Sequence, residues 1–139
     1  MAKRGAAPTV DESAFALMMT PVLERLQGEW APTSLVSEGK PMEQQWLAYG
    51  SRTQKGNETK SRLRRPDNGA RADAIDESVS AVAIDYLNIG RGSRTVSLGI
   101  MEIAGGQWRV CMASPGEARP VEFSCAKGSG CTLSHWKKR

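Results

Sequence analysis

From Gly28 onward the chain is punctuated at roughly even intervals by Gly-, Pro- and Asn-rich clusters with the chemistry of tight reversals: SEGKP, KGNE, RPDNG, NIGRGS, IAGGQ, ASPGEARP and AKGSG. Short segments rich in β-branched and aromatic residues lie between them. This pattern predicts strands over 29–37, 45–54, 57–65, 70–76, 81–87, 94–103, 107–113, 120–126 and 131–137. About eight hairpin-linked strands without a long crossover define an all-β fold, an up-and-down antiparallel β-barrel, because closure removes the exposed edges.

The segment before Gly28 reads differently. Apolar residues Phe15, Leu17, Met18, Met19, Val22, Leu23 and Leu26 recur at spacings of three and four, as in a helix entered through Asp11-Glu12-Ser13. Pro21 removes a backbone donor, so two short helical pieces or a kink are expected, the second ending at Gly28. The 139 residues thus divide into a flexible N-terminus (1–10), a helical segment (11–27) that braces the rest, and a barrel (28–139). A hydrophobic fraction of 40% with 24% charged residues is that of a folded globular domain. No window offers the roughly 18 apolar residues of a membrane-spanning helix. The N-terminus lacks the apolar run of a secretory signal, and three cysteines suit a disulfide framework poorly. A cytoplasmic location is the expectation.

Alternation orients the strands. In RTVSLGIMEI, Val96, Leu98 and Ile100 share one face, with Thr95, Ser97 and Gly99 opposite. In QWRVCMA the inward set is Trp108, Val110 and Met112, leaving Arg109 and Cys111 outside. Val121 and Phe123 continue the inner surface, and if Leu133 points inward so does His135. Trp30, Trp46, Tyr86, Trp108 and Phe123 are candidate lining residues, although aromatics in a small barrel also serve simply to fill it.

Gly28-Glu29-Trp30, where the helical lead-in meets the first strand, resembles the Gly-x-Trp opening of lipocalins. The resemblance implies that Trp30 plugs the barrel floor beneath a basic side chain from Lys137, Lys138 or Arg139, with Arg139 the expected partner. A longer series, LQGEW, SLVSEGKP, KGNET, AIDY, LGIMEI and WRVCMASPGEARPVEF, is similar to a family of small bacterial lipocalin-like domains of unassigned function. That family shows LQG-x-W, an EGKP-like turn, an IDY-like strand, LGIYEL and a C-x-APPG-x-x-RPTEF block. The match covers residues 26 to 137 and implies a fold rather than an activity. Cys125, Cys131, His135 and Met101 depart from the family pattern.

Two of the cysteines and the single histidine fall within FSCAKGSGCTLSHW, residues 123–136. Cys125 and Cys131 flank AKGSG symmetrically, and a hairpin would set them opposite one another at the Cα separation of about 4.5 to 5.5 Å that a disulfide spans. In a reducing compartment they rest as thiols. Cys131 and His135 share a face but lie roughly 13 Å apart along an extended strand, so one metal ion does not bind both. No metal or cofactor is called for.

The net charge of +4 is densest at residues 52–71, RTQKGNETKSRLRRPDNGAR, a run with no aromatic residue for base stacking and with Glu58 and Asp67 diluting it. It reads as solvated hairpins rather than a nucleic-acid surface. The leading expectation is therefore binding of a small, mostly apolar molecule in the barrel by Trp46, Tyr86, Trp108, Met112, Phe123 and His135. The alternatives are an enzyme using His135 as acid or base with a partner such as Glu102, Asp85 or Tyr86, and an interaction module acting through its outer surface. No motif sets an oligomeric state.

Overall fold

The computed structural model describes residues 15, 19–63, 69–90 and 93–139. Strands β1 (Gly28–Ser37), β3 (Ser51–Lys55), β4 (Glu58–Arg62), β5 (Gly69–Asp76), β6 (Val82–Gly90), β7 (Ser93–Ala104), β8 (Gln107–Ala113) and β9 (Cys131–Lys138) form a closed eight-stranded antiparallel barrel. Each strand pairs with its sequence neighbour, and β9 returns to β1 from Trp30↔Lys138 to Ser37↔Thr132, with an irregularity at Pro32/Ser34. A two-residue β2 (Lys40–Pro41) merely folds back on the end of β1. The β7–β8 reversal at Gly105 and Gly106 has φ of +55° and +77°, the left-handed pair that matches strand twist in a two-residue hairpin.

Two strand segments depart from the sequence expectation, whereas the second helical piece is present: α1 (Pro21–Leu26) begins at Pro21 and has Thr20 as its N-cap, whose hydroxyl accepts from the Leu23 N–H at 3.2 Å. Of the expected earlier piece only Phe15, which is buried, and the non-helical Met19 and Thr20 are among the described residues. The expected strand 45–54 is split into a single turn, α2 (Gln44–Leu47), followed by β3. EQQWLAY lacks the period-two alternation that a half-buried strand requires, and Gly50 then lets the chain pass tightly beneath Pro32 and Leu63. The expected strand 120–126 is irregular. β8 pairs directly with β9, from Gln107↔Lys137 to Ala113↔Cys131, and residues 114–130 leave the barrel as a strap across its outer face. Pro115, Gly116 and Pro120 deny this strap a ladder.

The strap is held by the Arg119 guanidinium. It donates to Asp85 Oδ1 at 2.5 Å, to Asp85 Oδ2 at 3.2 Å and to the Gly99 carbonyl at 2.9 Å. Beneath it Ile100, Cys111 and Cys131 form a second apolar cluster with Phe123, Cys125 and Leu133. That explains the parity of β7. Ile100 faces the strap while Ser97 pairs opposite Tyr86 on the barrel interior. Val121 is 95% exposed, and Phe123 lies outside under the Arg109 guanidinium, 3.8 Å from its ring centroid, so neither continues the inner surface.

α1 closes one end of the barrel. Leu23 and Leu26 bury against Trp30 and Trp108, and the Trp30 indole N–H donates to the Leu26 carbonyl at 2.8 Å. Gln27 fastens the helix to the β3–β4 turn: its side chain donates to the Gly56 carbonyl at 2.9 Å and accepts the Gly56 N–H at 2.7 Å. The cation over Trp30 is Lys138, with Nζ 4.8 Å from the ring centroid and donating to the Gln27 carbonyl. Arg139, the expected partner, instead donates to the Gly50 carbonyl at 3.0 Å. The strand register decides between them, since Lys138 is the residue opposite Trp30.

Candidate functional site

Above the floor made by Leu26, Trp30 and Trp108, the interior is unusually polar. β3 turns Arg52 and Gln54 inward, and β4 contributes Thr59 and Ser61. β5 supplies Asp73 opposite Tyr86, and Arg71 opposite Asn88. The floor aromatics stack, with Trp30 and Trp108 edge to face at 5.3 Å. On them lies the Arg52 guanidinium, 3.9 Å from the Trp108 centroid and 5.4 and 5.5 Å from those of Tyr86 and Trp136. A planar, weakly hydrated cation is the one charged group suited to such a box.

Arg52 Nη2 donates to Tyr86 Oη at 2.6 Å and to Thr59 Oγ1 at 3.3 Å, while its Nε has no partner. Thr59 Oγ1 also contacts Gln54 Oε1 and lies 2.8 Å from Asp73 Oδ2. Burial pushes Asp73 from its ordinary 3.8 up to about 6, against the opposing pull of Arg52, of hydrogen bonds from Thr59 and Gln54, and of Arg71. The hydrogen bonds accommodate either protonation state. Thr59 donates to the ionised Asp73; once burial has put the proton on the carboxyl, that proton can be donated to Thr59 instead, freeing the Thr59 hydrogen for Gln54. Tyr86, buried, is likewise held above its usual value by burial.

Above this layer the barrel is hollow. A cavity of about 280 Å³ opens at the end opposite α1, with Leu35, Leu63, Val110, Met112 and Trp136 on its apolar wall. Arg52, Arg71, Ser61, Asn88, Ser97, Thr132 and Ser134 supply its polar groups. Arg71 donates to Ser61 Oγ and to Asn88 Oδ1, both at 3.2 Å, and Asn88 donates to Ser97 Oγ at 2.9 Å. The rim comprises Ser114, Pro115 and Gly130, the two ends of the strap.

Of the residues expected at the site, Tyr86 and Met112 line the cavity and Trp108 lies beneath its floor cation. Trp46 is half-buried on α2 and is not part of the lining. Phe123 belongs to the strap. His135 lies outside the barrel, across from Arg109 and beside a small outer cleft with Glu102 and Gln107. Its neighbours Ser134 and Trp136 are the inward pair, so strand parity removes His135 from any reaction in the interior. Arg52, Arg71 and Asp73, which dominate the site, were not anticipated. Their signal was the complement of the aromatic face: with Trp30 inward, a register that pairs it with Arg52 also turns Arg52 inward.

The three thiols gather under the strap rather than across a hairpin, since Cys125 is in no strand. Cys111 and Cys131 donate to the Ser124 carbonyl at 3.4 and 3.2 Å, and Cys125 donates to the Cys131 carbonyl at 2.7 Å. Burial raises Cys111, and it raises Cys131 further in concert with the hydrogen bond from Cys125. No group of three metal-ligating side chains occurs among the described residues, and no described helix is long and apolar enough to cross a membrane. No family model, curated protein or solved structure matches the chain.

Proposed function

We propose that this chain is a binding protein that holds a small, mostly apolar molecule inside its barrel, as a cytoplasmic member of the lipocalin-like group its motifs resemble. One observation carries the reading: Leu23, Leu26, Trp30 and Trp108 bury together at one end of the interior beneath Arg52, while the other, unplugged end is hollow and open. A barrel built only for stability has no reason to stop filling halfway, because each unfilled methylene-sized space forfeits packing energy. A volume of about 280 Å³ falls just below the range of drug-sized sites, so the molecule is small.

Titration of intrinsic tryptophan fluorescence with toluene, indole and hexanol tests this, since Trp136 lines the cavity and Trp108 lies under it. Saturable quenching that disappears in Val110→Phe, which fills the cavity, is the expected result. Quenching that is unchanged in that variant, or absent both for these compounds and for carboxylates of the same size, overturns the reading.

A further inference from the structure

We infer that the molecule held in the cavity carries one carboxylate-class anionic group, which docks on the guanidinium pair of Arg52 and Arg71. The inference rests on the binding reading above and names the chemistry of its ligand. It begins with charge. Arg52 is 3% exposed, yet its hydrogen bonds go only to the uncharged oxygens of Tyr86 and Thr59, and its Nε has no partner. Arg71 is likewise engaged by Ser61 and Asn88, both neutral. None of the ion pairs among the described residues includes either arginine. A buried cation without a counter-ion is a large desolvation cost that natural folds ordinarily compensate.

The interior acid offsets at most one of the two charges. Asp73 is the buried carboxyl among the described residues, and its hydrogen bond is to Thr59 rather than to either guanidinium. With Asp73 neutral the barrel interior carries two positive charges, and even with Asp73 ionised one remains. A single anionic group entering from the open end restores balance.

Geometry narrows the anion. Both arginines line the cavity and both face Tyr86, their guanidinium carbons 5.4 and 5.3 Å from its ring centroid. Two guanidinium forks at the inner end of a narrow cavity match the two-oxygen edge of a carboxylate. Leu35, Leu63, Val110 and Met112 leave an apolar wall for the body of the molecule, and Ser97, Thr132 and Ser134 offer hydroxyls along its length. The ligand is a short-chain or single-ring carboxylic acid in its ionised form.

The test pairs isosteric probes: hexanoate, octanoate and benzoate against hexanol, octanol and benzyl alcohol, titrated into wild type and into Arg71→Gln with tryptophan fluorescence as readout. Arg71 is half-buried rather than central, so this variant is expected to keep the fold, checked by circular dichroism. The expected outcome is a preference of roughly tenfold or more for at least one carboxylate over its alcohol, the size of a charge-assisted hydrogen bond, falling to near parity in the variant. Alcohols binding as tightly as the acids would leave the cavity a binding site and overturn the anionic ligand. No binding by either series would overturn the binding reading and this inference with it. A carboxylate preference that survives Arg71→Gln unchanged would place the anion elsewhere and refute the docking.

Discussion

Replacing Asp73 with Asn isolates the energetics of the barrel interior. Burial holds the Asp73 carboxyl at about 6 in the folded chain against 3.8 for an ordinary carboxyl. Below pH about 4 both folded and unfolded chains keep the proton and no penalty exists. Between about 4 and 6 the unfolded chain releases its proton while the folded chain retains it, so stability falls as pH rises. Above about 6 the full penalty is present and stays constant. At roughly 1.4 kcal/mol per pH unit, the span from 3.8 to about 6 corresponds to about 3 kcal/mol. Asn mimics the protonated acid in shape and donates to Thr59 in the same place, so Asp73→Asn recovers up to that amount at pH about 7.5 and nothing near pH 4. Urea unfolding followed by circular dichroism at both pH values, with no ligand added, measures the difference directly. A variant less stable than wild type at pH about 7.5 would refute the argument. It would mean that the ionised carboxylate supports Arg52 by more than its burial costs.

Other perturbations bear on the scaffold. Gly50→Ala places a Cβ 2.6 Å from Pro32 Cγ and 2.7 Å from Leu63 Cδ2, and should cost about 1–3 kcal/mol in thermal or urea unfolding. Arg119→Ala releases the strap from Asp85. Because the pair is partly exposed the loss is about 1 kcal/mol at most, but Ellman's reagent should then reach Cys111 and Cys131 markedly faster than in wild type. Lys138→Ala should lower stability by about 0.5–1 kcal/mol and shift tryptophan emission, with a smaller response in Arg139→Ala; equal responses would mean that the cation on Trp30 does not brace the floor.

Turn chemistry made the barrel legible in the sequence: KGNE and IAGGQ lie where tight reversals occur, and the inward run Trp108, Val110, Met112 follows from alternation. The polar half of the interior was not legible. SRTQK and ETKSR carry polar residues on both faces, so the hydrophobic pattern that normally fixes parity is silent there, and a basic run reads as solvated when its two end arginines in fact turn inward. His135 was misplaced for a related reason. Leu133 was a poor guide to parity on β9, because the strap gives that strand an apolar surface on its outer side as well, whereas Trp136, the largest side chain of the strand, marks the true inner face. Long-range covers of this kind leave no periodic trace.

The seam between β1 and β9 sets the order in which this molecule is completed. Trp30 is opposite Lys138 and Ser37 opposite Thr132, so the first strand keeps an unpaired edge until the last strand has been made. With that seam unpaired the sheet is an open meander whose guanidinium layer water can reach, and pairing β9 with β1 is what closes the barrel around it. Loop-closure entropy for that step spans nearly the whole barrel, the most costly contact in its topology. A ribosome stalled even a few residues before Lys138 would display a sticky sheet edge beside uncovered tryptophans.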